Sequence, residues 1–455
     1  AAAKPSHRRP ELTNVEKQHL RGLLCGYSPA EIAEKRFCSR RSVEVDLSNT
    51  IYRYVEVLTE HPTNALDNWR TVAVWLEAQG YKTQGYKTQG YKTQSTGAGE
   101  RSTAISSQPT ANLQLLDWGE APDVSTFFGR ELELATLHQW LVADRCRLIA
   151  VLGIWGIGKT TLVARLADQV KTEFDCLIWR SLLSPMPFEL ILADWLQQLS
   201  TYMAIEVPDD VDGQISCLLQ IFHRHRCCVI LDGLEPILQS GDFAGHYHTE
   251  YRGYGELLKR VGQTRHQSCL LLTSREKPPE VAILEGDTMP VRSLRLNGLD
   301  REPAQKLLQV KGLLKEEQWH KLIAFYRGNP LVLNIVATTI QDLFGGDVNA
   351  FLQQSPTYVT RDLSRFLQQQ LDRLSLIEQQ IMCKLAQAQE PMTLSELEAS
   401  LHPISPYELF QALEALNMRS LIERTAQGFT LQPVIAEYLR KDNEYCKRFE
   451  SHPDC

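Results

Sequence analysis

The 455-residue chain is 43% hydrophobic and 23% charged, with a formal net charge of -7. That length allows about three domains, and the balance is that of an ordinary soluble globular protein; it argues against wholesale polyanion binding while leaving room for a local basic patch. No apolar run reaches the ~18 residues of a membrane span, no secretory apolar stretch follows the N-terminus, and the eleven cysteines contain no C-x-x-C pair, so the expectation is reduced thiols in the cytoplasm, with neither a zinc site nor a disulfide framework.

Residues 11–60 have the spacing of three helices. Thr13 is a candidate N-cap, and Val15, His19, Leu20, Leu23 and Leu24 share a face. Gly26-Tyr27-Ser28-Pro29 stops that helix; Ser28 with Glu31 forms a capping box for a second, with Pro29 at its first position and Ile32 and Ala33 turned inward. Ser39 caps a third helix through Leu58, with Val43, Leu47, Ile51, Val55 and Leu58 on its buried face. Two short helices and a longer third make a helix-turn-helix. Leu12, Thr13, Glu16, Gly26, Ser28, Glu31, Ile32, Ala33, Ser39, Ser42, Val43, Leu47, Ile51 and Tyr52 resemble the LuxR/GerE-type pattern. That resemblance implies DNA as one partner. Glu44 and Asp46 on the third helix oppose phosphate, however, and Arg36, Arg40 and Arg41 offset them only in part. A protein partner is the other reading.

Residues 61–126 read as an amphipathic helix (Asn64 to Gln79, with Leu66, Trp69, Val72, Ala73 and Leu76) and a tether. The tether holds three copies of Gly-Tyr-Lys-Thr-Gln from Gly80 to Gln94, then a Ser/Thr/Gly/Gln-rich stretch.

Residues 127–290 carry the phosphate chemistry. Leu148 to Leu152 is an apolar run suited to a buried strand, and helical spacing follows from Leu162 to Val170. Between them Gly153-Ile-Trp-Gly-Ile-Gly-Lys-Thr-Thr161 fits G-x-x-x-x-G-K-[ST]. Backbone N–H groups from Gly153, Gly156, Ile157, Gly158 and Thr161, with the helix N-terminus, form an anion cradle. Lys159 is placed to reach β- and γ-phosphates and Thr160 to ligate Mg²⁺. Cys227 to Leu231 is a second apolar strand that ends in Asp232, a carboxylate for Mg²⁺; Glu235 is a candidate for polarising water. A third strand, Ser268 to Arg275, offers Arg275 to the γ-phosphate or, equally, to a neighbouring carboxylate. Ser240 to Gly255 reads as a mobile Gly/His/Tyr-rich loop. Phe127-Phe128-Gly129-Arg130-Glu131 resembles the segment that opens NB-ARC and NACHT ATPases, which implies that Gly129 and Arg130 lie near adenine.

In residues 291–360 Gly328-Asn329-Pro330 begins a helix and resembles the NB-ARC G-x-P motif, whose proline packs on adenine. Residues 361–445 show three helices and a hairpin (Leu421 to Arg424 with Gly428 to Leu431), the winged-helix order. Glu408 and Glu414 on its last helix disfavour DNA. The NB-ARC M-H-D triplet aligns with Leu431-Gln432-Pro433, so the ADP-sensing His is missing.

Together the motifs resemble the STAND class of signal-transduction ATPases, NB-ARC subtype. The fold implied is an α/β P-loop NTPase with a parallel sheet, flanked by all-α helix-turn-helix, helical-bundle and winged-helix domains. The function implied is an ATP/ADP-Mg²⁺ switch with slow ATP hydrolysis. It would self-associate as a ring or filament on ATP binding and act through the N-terminal domain as effector or adaptor. The alternative is an ATP-dependent DNA-binding transcription regulator. A third reading is a mechanochemical ATPase: Gly233 directly after Asp232 counts against it, while Glu235 keeps it open.

Overall fold

Apolar strand runs that alternate with amphipathic helices call for a parallel sheet covered on both faces. The computed structural model describes residues 114–203, 206–354, 359–401 and 403–441, residues 47–59, and His19, Leu20, Leu23, Pro29, Ile32, Val72, Leu76, Tyr445 and Cys446. The chain divides into two units, Ala1–Ser107 and Gln108–Cys455.

In the first unit a π-helical turn, Leu47–Ile51, runs into helix α1 (Tyr52–Leu58), which ends where the Thr59 hydroxyl donates to the Val55 carbonyl at 2.8 Å. Leu23, Ile32, Leu47, Ile51, Val55, Val72 and Leu76 pack into one small core. Apolar positions from all three expected helices, and from the Asn64–Gln79 stretch, therefore meet. The expected caps Thr13, Ser28 and Ser39, the acidic pair Glu44 and Asp46, the arginines beside them and the pentapeptide repeats lie outside the described residues.

Six of the described strands of the second unit make its main sheet: β1 (Leu115–Asp117), β2 (Leu148–Leu152), β3 (Cys176–Ser181), β4 (Cys227–Asp232), β5 (Cys269–Ser274) and β6 (Val291–Arg295). They form one parallel sheet in the order β1-β3-β4-β5-β2-β6. Helices α2 (Glu131–His138), α3 (Lys159–Val170), α4 (Phe188–Met203), α5 (Val211–Arg224), α6 (Arg252–Gln263) and α7 (Pro279–Leu284) accompany them. Because strand side chains alternate, β2 serves two cores. Ile149 and Val151 pack with Leu137 of α2 and Leu162 and Leu166 of α3. Leu148, Ala150 and Leu152 pack with Trp195 of α4, Phe222 of α5 and Leu258 of α6.

Three features differ from the sequence expectation. Strand β1 lies in the stretch read as tether; three residues of half-buried and exposed pattern are too short a run to register. The Ser240–Gly255 stretch is not a free loop. Leu238 bridges to Tyr247, whose hydroxyl donates to Glu280 at 2.9 Å, and α6 begins at Arg252 with Tyr254 fully buried. Gly253 and Gly255 weaken the helical signal. They are there for space, since a Cβ would sit 2.2 Å from Phe188 Cδ1 and 2.9 Å from Tyr247 Cε2 respectively. Thirdly, Cys383 and Cys446 are joined in a disulfide across 63 residues, against the expectation of reduced thiols; spacing alone does not reveal such a pair. The other described cysteines, Cys146, Cys176, Cys217, Cys227, Cys228 and Cys269, are free and buried.

Beyond the sheet come α8 (Arg301–Val310), α9 (Trp319–Phe325), α10 (Pro330–Phe344), α11 (Val348–Gln354), α12 (Arg361–Leu371), α13 (Leu376–Gln387), α14 (Leu394–Ser400), α15 (Pro406–Met418), strands β7 (Ile422–Thr425) and β8 (Gly428–Leu431), and α16 (Pro433–Lys441). They share one hydrophobic core. Capping boxes Ser375/Glu378, Thr393/Glu396 and Ser405/Glu408 set the starts of α13, α14 and α15, so Glu408 is engaged in its own helix. The hairpin pairs antiparallel with Ile422 opposite Leu431, in the segments the sequence indicates. No helix among the described residues is long and apolar enough to cross a membrane.

His266 gives the fold an acid limit. Its Nε2 meets the Val261 carbonyl at 3.0 Å, and its ring packs edge-on to Phe222. Burial, the largest influence, pushes its pKa from 6.5 down to about 4. A histidine held neutral in the folded state loses its stabilising contribution as pH falls from about 6.5 toward 4. We expect urea-unfolding stability to drop over that window by at most roughly 3 kcal/mol from this group. His266→Gln, which cannot titrate, should flatten that limb; an unchanged pH profile would contradict the assignment.

Candidate functional site

The phosphate loop leaves the C-terminal end of β2 and feeds α3, whose N-cap is Gly158 in the left-handed conformation. Three strand ends converge there because β5 lies between β2 and β4. Thr160, in the first turn of α3, donates its hydroxyl to Asp232 Oδ1 at 2.7 Å. Thr273, near the end of β5, donates to the same oxygen at 2.6 Å and accepts from the Gly233 amide at 2.8 Å. Sequence reading missed Thr273; its signal is a hydroxyl just before the polar end of an apolar strand. Burial pushes the Asp232 pKa up, and the two hydroxyls counter this.

Lys159 is 8% exposed, and its amine donates to the carbonyls of Gly153 at 2.9 Å and Ile154 at 3.2 Å. Burial lowers its pKa to about 8 against the upward pull of Glu235 and Asp232. Glu235 is buried at the start of a 3-10 turn, and its Oε1 accepts from the Arg275 amide at 2.6 Å. The Arg275 Nε lies 3.5 Å from that same oxygen. Lys159, Thr160, Asp232, Glu235 and Arg275 line one cavity of about 390 Å³ with Gly156, Gly158, Thr161 and Thr273.

A second cavity of about 440 Å³ adjoins it, walled by Phe127, Phe128, Arg130, Ile157, Leu299, Leu307, Val310 and Lys311. Gly158, Thr161, Pro330 and Asn334 belong to both cavities. The polar half sits over the glycine loop and helix N-terminus; the apolar half sits under α8. Asn334 was not singled out in the sequence, although it lies one helical turn after Pro330 on α10.

Arg130 borders the apolar cavity, but its guanidinium is occupied. It donates to Glu133 at 2.7 Å and to the carbonyls of Ile157 at 3.1 Å, Asn297 at 2.7 Å and Gly298 at 3.5 Å. Its own backbone is left-handed, with φ 72°. Arg130 thus ties the phosphate loop to the segment after β6. Gly129 precedes it with φ 66°, and a Cβ there would lie 2.5 Å from Pro303 Cγ.

Helix α10 begins on the phosphate loop. Asn329, its N-cap, accepts from the amides of Leu331 and Val332 and donates its Nδ2 to the Trp155 carbonyl at 2.9 Å. The Leu331 amide donates to the Gly156 carbonyl at 3.3 Å. Gln432, aligned with the missing His, lines the space beside Tyr326 and Leu363 and is not in the phosphate cavity. No cluster of His, Cys, Asp or Glu among the described residues is arranged to hold a metal by itself.

Residues 130–242 match the NB-ARC domain family. Over 336 residues the chain is 46% identical to an uncharacterized WD repeat-containing protein, alr2800, of Nostoc sp. (strain PCC 7120), covering 71% of this chain and 27% of that one. The chain therefore spans about a quarter of that relative's length. Similar solved structures include the STAND protein with a tetratricopeptide repeat sensor, PH0952, from Pyrococcus horikoshii (18% identical, TM-score 0.37, 74% of this chain and 48% of that one). Others are the Walker-type ATPase paby2304 of Pyrococcus abyssi (16%, 0.47, 69% and 96%) and the ORC2 protein of Aeropyrum pernix (15%, 0.44, 73% and 98%). These structural likenesses are too remote to carry function across. The residues that match the NB-ARC family lie within the parallel α/β P-loop core.

The contact between loop and α10 depends on Gly156, which has φ 71° and no room for a Cβ, since Leu331 Cβ would be 2.8 Å away. Gly241 has φ 78° and open space around it. Gly241→Ala carries backbone strain alone, about 1 kcal/mol; Gly156→Ala is expected to destabilise by about 1–3 kcal/mol more in urea titration. Equal losses would mean that the loop does not depend on this packing.

Proposed function

We propose that the second unit is a signalling switch that binds ADP or ATP with Mg²⁺, hydrolyses ATP slowly and self-associates as a ring or filament in its ATP form. The first unit would serve as effector or adaptor. The observation that carries this reading is the pair of adjoining cavities walled by both the phosphate-loop module and α8 and α10. A ligand held there contacts two modules at once and can bias their arrangement.

The residues fit the nucleotide. The apolar half suits a base, with Pro330 and Leu307 against it, and the polar half suits phosphates. Lys159 and Arg275 would neutralise phosphate oxygens, and backbone amides from Gly153 to Thr161 would cradle them. Thr160 and Asp232 would hold Mg²⁺, which when bound screens phosphate charge. Glu235 would orient the attacking water once its carboxylate leaves the Arg275 amide. Gln432 stands away from the phosphate cavity, so the resting form relies on contacts other than a His on the β-phosphate. The WD repeats named for the Nostoc relative are the kind of sensor such a switch would serve.

Lys159→Ala is expected to abolish binding of a fluorescent ADP analogue; retained affinity would sink the site assignment. Asp232→Asn should keep ADP binding but reduce Mg²⁺-dependent hydrolysis by about 100-fold or more. Light scattering of the wild-type chain should show larger species with ATP–Mg²⁺ than with ADP.

A further inference from the structure

One segment of the C-terminal helices touches both loops on which phosphate chemistry depends. Phe366, on α12, stacks on Trp155 of the phosphate loop with ring centroids 4.4 Å apart and planes at 24°. In the turn after α12, Arg373 reaches the loop that follows Asp232. Its Nη2 donates to the carbonyls of Glu235 at 3.1 Å and Leu238 at 3.3 Å. The same guanidinium donates to Glu276 Oε1, from Nη2 at 2.9 Å and from Nε at 3.2 Å. Glu276 is buried and directly follows Arg275.

A second arginine backs the first. Arg419, buried at the end of α15, donates from Nη1 to both Glu378 oxygens, at 2.7 and 2.6 Å, and from Nη2 to the Asp242 carbonyl at 2.8 Å. Its Nε faces Glu276 Oε2 at 3.4 Å. Two arginines and two glutamates thus form a charge-balanced cluster between the catalytic loops and the C-terminal helices. Removing one member leaves its partner buried and uncompensated, so the cluster holds or breaks as a unit.

The arrangement it holds is a quenched one. Glu235 and Arg275, both facing the phosphate cavity, are engaged with each other, and the carbonyl of that same Glu235 is gripped by Arg373. We propose that Arg373 is a positioning residue that restrains hydrolysis: while α12 is docked on the phosphate loop, Arg373 locks the Glu235 loop so that Glu235 and Arg275 stay paired, and lifting of α12 releases both. This rests on the nucleotide-switch reading above and supplies its regulation. Docking of the C-terminal helices is sensed through loop backbone, without a side chain on the phosphates. The role calls for a guanidinium, because two carbonyls and a carboxylate on two loops need a planar fork.

The test uses the full chain carrying Arg373→Gln, Arg373→Lys or Glu276→Gln. The readouts are kcat and KM for ATP hydrolysis and the release rate of a fluorescent ADP analogue. Arg373→Gln should raise kcat and ADP release by roughly tenfold or more, the effect of losing a charge-assisted hydrogen bond, with KM little changed. Arg373→Lys should fall between it and wild type. Glu276→Gln, of equal volume, should move both rates the same way and carries the test if Arg373→Gln does not fold. A folded Arg373→Gln with wild-type kcat and release, or with kcat lowered, would overturn the proposal. A wild-type chain that binds no nucleotide would instead defeat the switch reading on which it rests.

Discussion

The phosphate loop is a shared wall. A glycine-rich turn between a buried strand and a helix has backbone carbonyls to spare, and here other parts of the chain take them. Arg130 holds the Ile157 carbonyl, Asn329 holds that of Trp155, and the Leu331 amide meets that of Gly156. Trp155 then offers its ring to Phe366. Each bond is modest alone, about 1 kcal/mol net for a neutral hydrogen bond. Their common location means that a change in the loop's shape is felt by α10 and α12 together. Packed interfaces of this kind have discrete arrangements and do not deform continuously.

Charge distribution follows the same plan. Around the phosphate cavity Lys159 and Arg275 are set against Asp232 and Glu235, all bordering a space near the positive end of α3. Away from it, Glu276, Glu378, Arg373 and Arg419 are paired among themselves. Buried charge is expensive unless paired, so a cluster at a module boundary is sensitive to any separation of the modules. The disulfide between Cys383 and Cys446 and the capping boxes of α13, α14 and α15 support the C-terminal helices from within.

Much of this was legible in the residues. The apolar runs of β2, β4 and β5 gave strands because each is buried at every position, and the loop glycines lie between strand and helix, whereas the helix, read from Leu162, already begins at Lys159 and takes Thr160 into its first turn. Asp232 ends β4 and Arg275 directly follows β5, and both border the cavity at the strand ends, where a parallel sheet leaves its crevice. What stayed hidden depends on partners distant in sequence. Nothing around Arg130 says that its guanidinium will be taken up by carbonyls at 297 and 298. Nothing in the sequence around Arg373, Glu378 and Arg419 says that the fold brings them together. Helix α6 was obscured by glycines whose purpose is to clear Phe188 and Tyr247. The Cys383–Cys446 pair has no local signature.

In the proposed switch a nucleotide would span the two adjoining cavities and hold the modules together. The most direct test is the nucleotide content of the purified protein, released by heat denaturation and separated by chromatography. Near-stoichiometric ADP is the expected result, since α10 is docked on the phosphate loop. A chain that carries no nucleotide and takes up none when ADP and Mg²⁺ are supplied would contradict the account.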